Sequence, residues 1–256
     1  MATIWQQAEE LKDEMVERRR DLHRHPETGW TEFRTASMII GELKKLGYDV
    51  KFGADVIDEK SMMGVPSEAE LADYMQRAIS EGADPELVKK MAGGKTGIVA
   101  TLKTDKPGKT VAFRFDMDCN DVEEERCDEH RPAKEGFASE HKKAMHACGH
   151  DGHMSILLGA AEVLSQVKDD IPGTVVFICQ PSEEKSPVGG AKGLVASGVL
   201  DGVDAVYGLH VWPTLPSGKI GVLPGPMMAA SDHIRIVLNG KASHAAMPHK
   251  GVDTIV

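Results

Sequence analysis

The chain has 256 residues, 41% hydrophobic, 27% charged and only 5% aromatic, long enough for one large α/β domain or two modest ones. Its 40 acidic side chains outweigh 30 basic ones, a net charge of −10 with His neutral, which argues against nucleic acid or an anionic membrane as partner. No apolar run reaches the ~18 residues of a membrane span, and the polar, acidic start MATIWQQAEELKDEM is no secretory signal.

Four cysteines in a chain this long form no disulfide framework, so a reducing, cytoplasmic setting is expected. The unusual feature is the histidine content, 11 in all, several of them beside acids and one Cys.

The first helical pattern puts Ile4, Leu11, Met15 and Leu22 on one stripe and ends near His25-Pro26. A second helix is expected from Thr31 to Leu46, stopping at Gly47, followed by a strand over Tyr48–Phe52. Residues 55–91 read as an inserted helical segment, with Ser67 and Glu70 as a capping box and Asp84-Pro85 opening another helix. Thr96–Leu102 and Thr110–Phe115 are short apolar runs either side of Asp105-Lys106-Pro107-Gly108, the pattern of a hairpin. Residues 119–143 form a long charged loop, and loops of that length are usually functional or disordered.

Gly152–Val167 is helical, and Thr174–Cys179 is a continuous apolar run typical of a strand buried on both faces. Gly190–Ser197 reads as a helix and Ala205–Val211 as another buried strand. Strands alternating with helices imply a sheet covered on both faces. From Ser231 an alternating strand with His233, Arg235 and Val237 reaches Asn239-Gly240, and Asp253–Val256 looks like a helix start. Ile234, Ile236 and Leu238 of that strand lack partners in so short a segment. The chain expressed alone is therefore expected to bind metal weakly and to aggregate there.

The informative string is Met145-His146-Ala147-Cys148-Gly149-His150-Asp151-Gly152-His153. A thiolate and an imidazole two residues apart, on a Gly-containing turn before a helix, can point at one ion. A lone Cys-x-His is more often a core Cys beside surface histidines. Further donors at strand ends change that balance. Thr174–Cys179 runs into Gln180-Pro181-Ser182-Glu183-Glu184, and Ala205–Leu209 delivers His210. Both sets lie at the carboxyl edge, where α/β sheets gather ligands. Phe113-Arg114-Phe115-Asp116-Met117-Asp118 sends two more acids to the same edge, where they could orient His ligands from behind, although Asp116 taken alone reads equally well as a helix cap or loop acid.

The strings MHACGHDGH, QPSEE, YGLHVWP, FRFDMD and GKASHAAMPHKGVD resemble the metal-dependent amidohydrolases that include aminoacylases, glutamate-releasing carboxypeptidases and auxin-conjugate hydrolases. HRHPETGW, WTEFRTA and EGADPELVKKMAGGKTGIVATL extend the resemblance from about His23 to the last residue, towards the members that cleave p-aminobenzoyl-glutamate. The resemblance implies metal ligands at Cys148, His150, Glu184 and His210. It implies Glu183 as general base for a metal-bound water, His244 as the lid histidine that reaches the partner subunit's active site and stabilises the oxyanion, and Asp118 as the acid supporting the metal.

The implied fold is a three-layer αβα zinc-exopeptidase-like catalytic domain over 1–228, with a helical insertion at about 55–95. Residues 229–256 would begin a smaller α+β, ferredoxin-like lid or dimerisation domain, cut short before the catalytic domain resumes and supplies the distal ligand. The complete site would hold two divalent ions, Zn²⁺ or Mn²⁺, with Co²⁺ or Ni²⁺ as alternatives. The implied substrate is an N-acyl or N-aroyl amino acid, p-aminobenzoyl-glutamate first, and the partner a second copy or a related second chain. Aminoacylase or dipeptidase activity on other substrates is also compatible. Two other classes explain part of the pattern. A thiol hydrolase built on Cys148 leaves Glu183, Glu184 and His210 without roles, and a non-catalytic metal-binding or partner subunit would need no complete site.

Overall fold

The computed structural model describes residues 3–185, 189–228 and 234–255. They fall into two compact units, Met1–Ile220 and Gly221–Val256.

The first unit opens with α1 (Ile4–Glu10) and α2 (Lys12–Arg24), divided at Leu11 where the apolar stripe alone suggests one helix. Thr3 and Gln6 form a capping box at the start of α1. Helix α3 (Phe33–Lys45) ends before Gly47, whose φ of 84° lets the chain turn out into β1 (Asp49–Phe52). The inserted segment forms α4 (Glu68–Ser80) and α5 (Pro85–Lys90). The Ser67–Glu70 box is present, and Asp84 accepts the Glu86 amide at 2.9 Å. Then follow β2 (Ile98–Lys103), β3 (Thr110–Asp116), the short α6 (Arg131–Lys134) and α7 (His150–Gln166). Last come β4 (Thr174–Gln180), α8 (Ala191–Ala196) and β5 (Ala205–Gly208).

Among the described residues the strands form one mixed sheet in the order β1-β2-β4-β3-β5. Strand β4 is the spine, antiparallel to β2 and parallel to β3. Its alternation divides the core. Val175, Phe177 and Cys179 face the layer that contains Leu22, Ile39, Ile40, Leu43, Leu157 and Leu158, while Val176 and Ile178 face Val56, Ile57 and Leu194. Helices α2, α3 and α7 thus cover one face and α8 the other, an αβα sandwich.

Two strand expectations are corrected. β2 and β3 do not form a hairpin, because β4 lies between them and bonds to both. The 104–109 turn wraps the start of β4 instead. Thr104 N–H donates to Gly173 O at 3.2 Å and Gly173 N–H to Lys106 O at 2.9 Å. A Cβ on Gly108 would stand 2.7 Å from Gly173 N, so glycine is needed at this crossing. The second correction concerns Ala205–Val211. Strand β5 stops at Gly208 and, among the described residues, bonds to β3 alone, leaving Val206 49% and Tyr207 57% exposed rather than buried.

In the second unit residues 234–239 carry no strand, and Ile234, Ile236 and Leu238 are exposed. His233, at the start of that expected strand, lies outside the described residues. No helix starts over 253–255; a bridge pairs Lys241 with Val252, and the Asp253 carboxylate accepts the Ile255 amide at 2.9 Å. Six residues without a paired strand beside them have no ladder to join.

Asp21 on α2 ties the N-terminal helices to α3. It accepts both an Arg34 bond pair, at 2.9 and 3.1 Å, and a contact from His25. The His25 bond, against the opposing effect of burial and with help from Arg34, holds the Asp21 carboxyl down at about 2. Its contribution is present above the ordinary value of 3.8 and is lost as pH falls through about 2. Asp21→Asn should therefore lower unfolding free energy at neutral pH by about 1 kcal/mol, screened by partial exposure. The gap from the wild type should close near pH 2 in denaturation curves; a gap independent of pH would refute this assignment.

Candidate metal centre

Three parallel strand ends and one helix start converge on a single edge of the sheet. β3, β4 and β5 run parallel, so Asp116 and Asp118, then Glu183 and Glu184, then His210 all follow carboxyl ends. Cys148 and His150 come from the start of α7, brought round by Gly149 at φ 86°. The Cys148 amide donates to Asn120 Oδ1 at 3.0 Å, and Asn120 in turn bridges Met145, which pins the approach to the turn.

The candidate ligand atoms of Cys148, His150 and His210 lie within 4.8 Å of one another, as do those of His150, Glu183 and Glu184. His150 is the member shared by both groups. Its Nδ1 donates to the Asp118 carbonyl at 2.7 Å, which leaves Nε2 as the free lone pair. His210 is arranged alike: Nδ1 donates to Val211 O at 2.6 Å while Nε2 sits 3.4 Å from Cys148 Sγ. Among the described residues, His150 Nε2 and Glu184 Oε1 are buried with no hydrogen-bond partner, and they face each other at 3.7 Å. That separation is too long for a hydrogen bond and suits two donors each about 2.0–2.2 Å from one ion. A buried, unpaired imidazole nitrogen opposite a buried, unpaired carboxylate oxygen is costly unless a cation lies between them. The donor set fits a divalent metal.

Buried carboxylates hold this arrangement. Asp118 accepts the amides of Glu183 at 3.0 Å and Glu184 at 2.9 Å. Glu32 accepts the Ser182 amide at 2.7 Å and the Thr96 hydroxyl at 2.6 Å, fixing a turn in which Ser182 has φ 53°. Glu27 receives the Arg34 and Thr35 amides at the start of α3, at 2.9 and 2.8 Å. Behind the ligands, His23 bridges Asp151 at 2.7 Å and Glu124 at 2.9 Å.

The excess negative charge shows in the protonation of the site. His150 is opposed by burial, yet bonding to Asp118 and the charges of Asp116 and Asp118 raise it to about 9. Burial, then Glu184, Glu183 and Asp116, push the Cys148 thiol up to about 12. Burial followed by Glu184 also raises Glu183, and burial followed by Asp118 raises Glu32 to about 8. Each shift says that the cluster wants added positive charge, which a proton or a metal cation can supply. The protein's own groups disfavour a thiolate at Cys148, which counts against the thiol-hydrolase alternative.

Of the residues singled out from the sequence, Cys148, His150, Glu183, Glu184, His210 and Asp118 are brought together. His244 belongs to the second unit, where its Nδ1 accepts the Ala246 amide at 3.1 Å. Glu32 and His153 are site residues to which sequence reasoning gives no role, although both lie in strings that carry the resemblance. A signal for His153 exists in its spacing, three residues after His150 on one helix face. For Glu32 nothing local separates a buried carboxylate from a surface one.

Residues 112–254 match the model of peptidase family M20/M25/M40. Indole-3-acetyl-aspartic acid hydrolase of Enterobacter agglomerans is 45% identical over 236 residues, 92% of this chain and 53% of that protein. One subunit of the p-aminobenzoyl-glutamate hydrolase of Escherichia coli K12 is 40% identical over 257 residues, 100% of this chain and 58% of that protein. A crystal structure from Bacillus subtilis, described as a dinuclear metal-binding peptidase from family M20, superposes with a TM-score of 0.63. It is 30% identical, and the match covers 85% of this chain and 48% of that one. The chain spans little more than half the length of the two curated relatives.

Gly149 is the residue at which the local fold and the site meet. A Cβ there would lie 2.4 Å from Val211 Cγ2, in a left-handed conformation. Gly149→Ala should destabilise the chain by at least ~1–2 kcal/mol, measured by chemical denaturation. An unchanged midpoint would mean that the turn does not need its positive φ.

Proposed function

We propose that this chain, which belongs to peptidase family M20/M25/M40, carries metal ligands and the general base of a hydrolase that cleaves the amide bond of N-acyl amino acids. The observation that carries the reading is the buried, unpartnered pair His150 Nε2 and Glu184 Oε1, flanked by Cys148 Sγ and His210 Nε2. Cys148, His150, Glu184 and His210 are the proposed ligands. A divalent ion held there would supply Lewis-acid polarisation of the carbonyl and a more acidic water.

The remaining chemistry belongs to side chains. Glu183 is 40% exposed, beside the proposed ligand Glu184 and 3.9 Å from His150 Nε2. It accepts the proton of the attacking water and passes it to the leaving amine nitrogen, base and then acid in one turnover. Asp118 holds the base and the neighbouring ligand by their amides, so the two carboxylates keep a fixed offset. His244 is proposed as the donor to the oxyanion that develops in the site of a partner subunit. Its Nδ1 accepts from Ala246, which leaves Nε2–H as the donor that role needs.

The two curated relatives support a substrate class. Their names specify amides joining an aromatic acyl group to aspartate or glutamate. We assign this chain to aromatic acyl derivatives of acidic amino acids, with p-aminobenzoyl-glutamate as the first substrate to test. One relative is named as a component of a multi-chain hydrolase, which makes pairing with a second copy or a related chain part of the same proposal. Among the described residues no helix is long and apolar enough to cross a membrane, and cytoplasmic placement is proposed from the free cysteines.

The neighbouring glutamates should separate. Glu183→Gln should keep its bound metal and reduce p-aminobenzoyl-glutamate turnover on the order of 10²–10⁴-fold, whereas Glu184→Gln should first lose metal. Equal metal loss in both variants, by elemental analysis, would refute the division of roles. Cys148→Ala should lose at least one metal equivalent with helical circular dichroism intact; unchanged stoichiometry would remove Cys148 from the ligand set.

A further inference from the structure

His153 stands directly behind the proposed ligands and is fully buried. It lies one turn after His150 on α7, its ring stacked on that of His150 at 5.3 Å between centroids and edge-on to His210 at 4.8 Å. Both its nitrogens are engaged, and the two bonds fix which carries the proton. The Val211 amide donates to Nε2 at 2.9 Å. A backbone N–H can only donate, so Nε2 is the bare nitrogen and Nδ1 bears the hydrogen. Nδ1–H then donates to Asp116 Oδ1 at 2.5 Å, while Asp116 Oδ2 receives Arg114 Nη1 at 2.6 Å.

The consequence lies in the segment after β5. The ladder to β3 ends at the pair Arg114 and Gly208, so Leu209, His210 and Val211 extend past the sheet without strand bonds. Val211 also supplies the carbonyl that receives His210 Nδ1. The one residue that orients His210 is therefore itself held through its amide by His153. We infer that His153 is a positioning residue: as a neutral imidazole fixed by Asp116, it anchors Val211 and thereby aims His210 Nε2 at the metal centre. The chain of contacts runs Arg114, Asp116, His153, Val211, His210. This inference rests on the ligand role proposed above for His210.

The length of the side chain makes the test specific. Gln reaches as far as His Nε2 and can accept the Val211 amide, whereas Asn overlays Nδ1, keeps a donor for Asp116 and cannot reach Val211. The full chain is compared as wild type, His153→Gln and His153→Asn by two measurements, hydrogen exchange at the Val211 amide without metal and Zn²⁺ affinity by competition with a chelating dye. Expected are a protected Val211 amide in the wild type and His153→Gln, fast exchange in His153→Asn, and Zn²⁺ binding weakened 10–100-fold in His153→Asn alone. Exchange at Val211 equal in all three would overturn the anchor. Loss of protection with unchanged Zn²⁺ affinity would overturn the positioning role. If the wild type protects Val211 but binds no Zn²⁺, the metal reading fails and the positioning role with it, while the hydrogen bond stands. A merely structural role would instead weaken Zn²⁺ binding in both variants in proportion to lost thermal stability.

Discussion

One buried carboxylate organises the centre. Asp118 receives the amides of both Glu183 and Glu184 on its side-chain oxygens, and its own carbonyl receives His150 Nδ1. A single residue just past β3 thus sets the offset between the proposed base and a proposed ligand in the segment after β4, and the free nitrogen of another ligand on α7. Carboxylates that accept backbone amides are held by charge-assisted bonds, about twice as strong as neutral ones. The arrangement concentrates negative charge in a water-poor site, and such charge persists only where something positive meets it. The raised His150 and Cys148 values express that demand in protons. A divalent cation meets the same demand with more charge and a fixed geometry.

The sheet topology explains why these residues meet. β4 lies between β2 and β3 and runs parallel to β3, so the Glu pair that follows it reaches the edge where β3 ends at Asp116, two residues before Asp118. A hairpin of β2 and β3 would leave β3 bonded to an antiparallel neighbour and separate the two acid pairs. The parallel β5 then adds His210 on the other side of β3. Function at this edge therefore depends on a non-local pairing, backed by the period-2 division of β4 between two core layers.

Much of this was legible in the chain. The β4 run reads as a strand buried on both faces and is one; the Ser67–Glu70 box and the Asp84 cap are where side-chain chemistry puts them. The donors of the MHACGHDGH and QPSEE strings converge because each sits immediately beside an element end. What escaped is what depends on partners distant in sequence. The turn at 105–108 serves a hairpin and a strap round β4 equally well, so local residues cannot choose between them. The apolar residues of β5 suggest burial, yet exposure is decided by which elements lie alongside, and only β3 does so among the described residues. Glu32 and His153 look like any polar residues of a helix or loop until the fold places an amide against them.

Cys148, Glu184 and the Nε2 atoms of His150 and His210 form the proposed ligand set of the metal centre. X-ray absorption at the zinc edge of the loaded chain probes that set. The prediction is one sulfur scatterer at about 2.3 Å with nitrogen and oxygen at about 2.0–2.2 Å, and imidazole signals in the outer scattering. A fit with nitrogen and oxygen alone, unchanged when Cys148 is replaced by Ser, would contradict it.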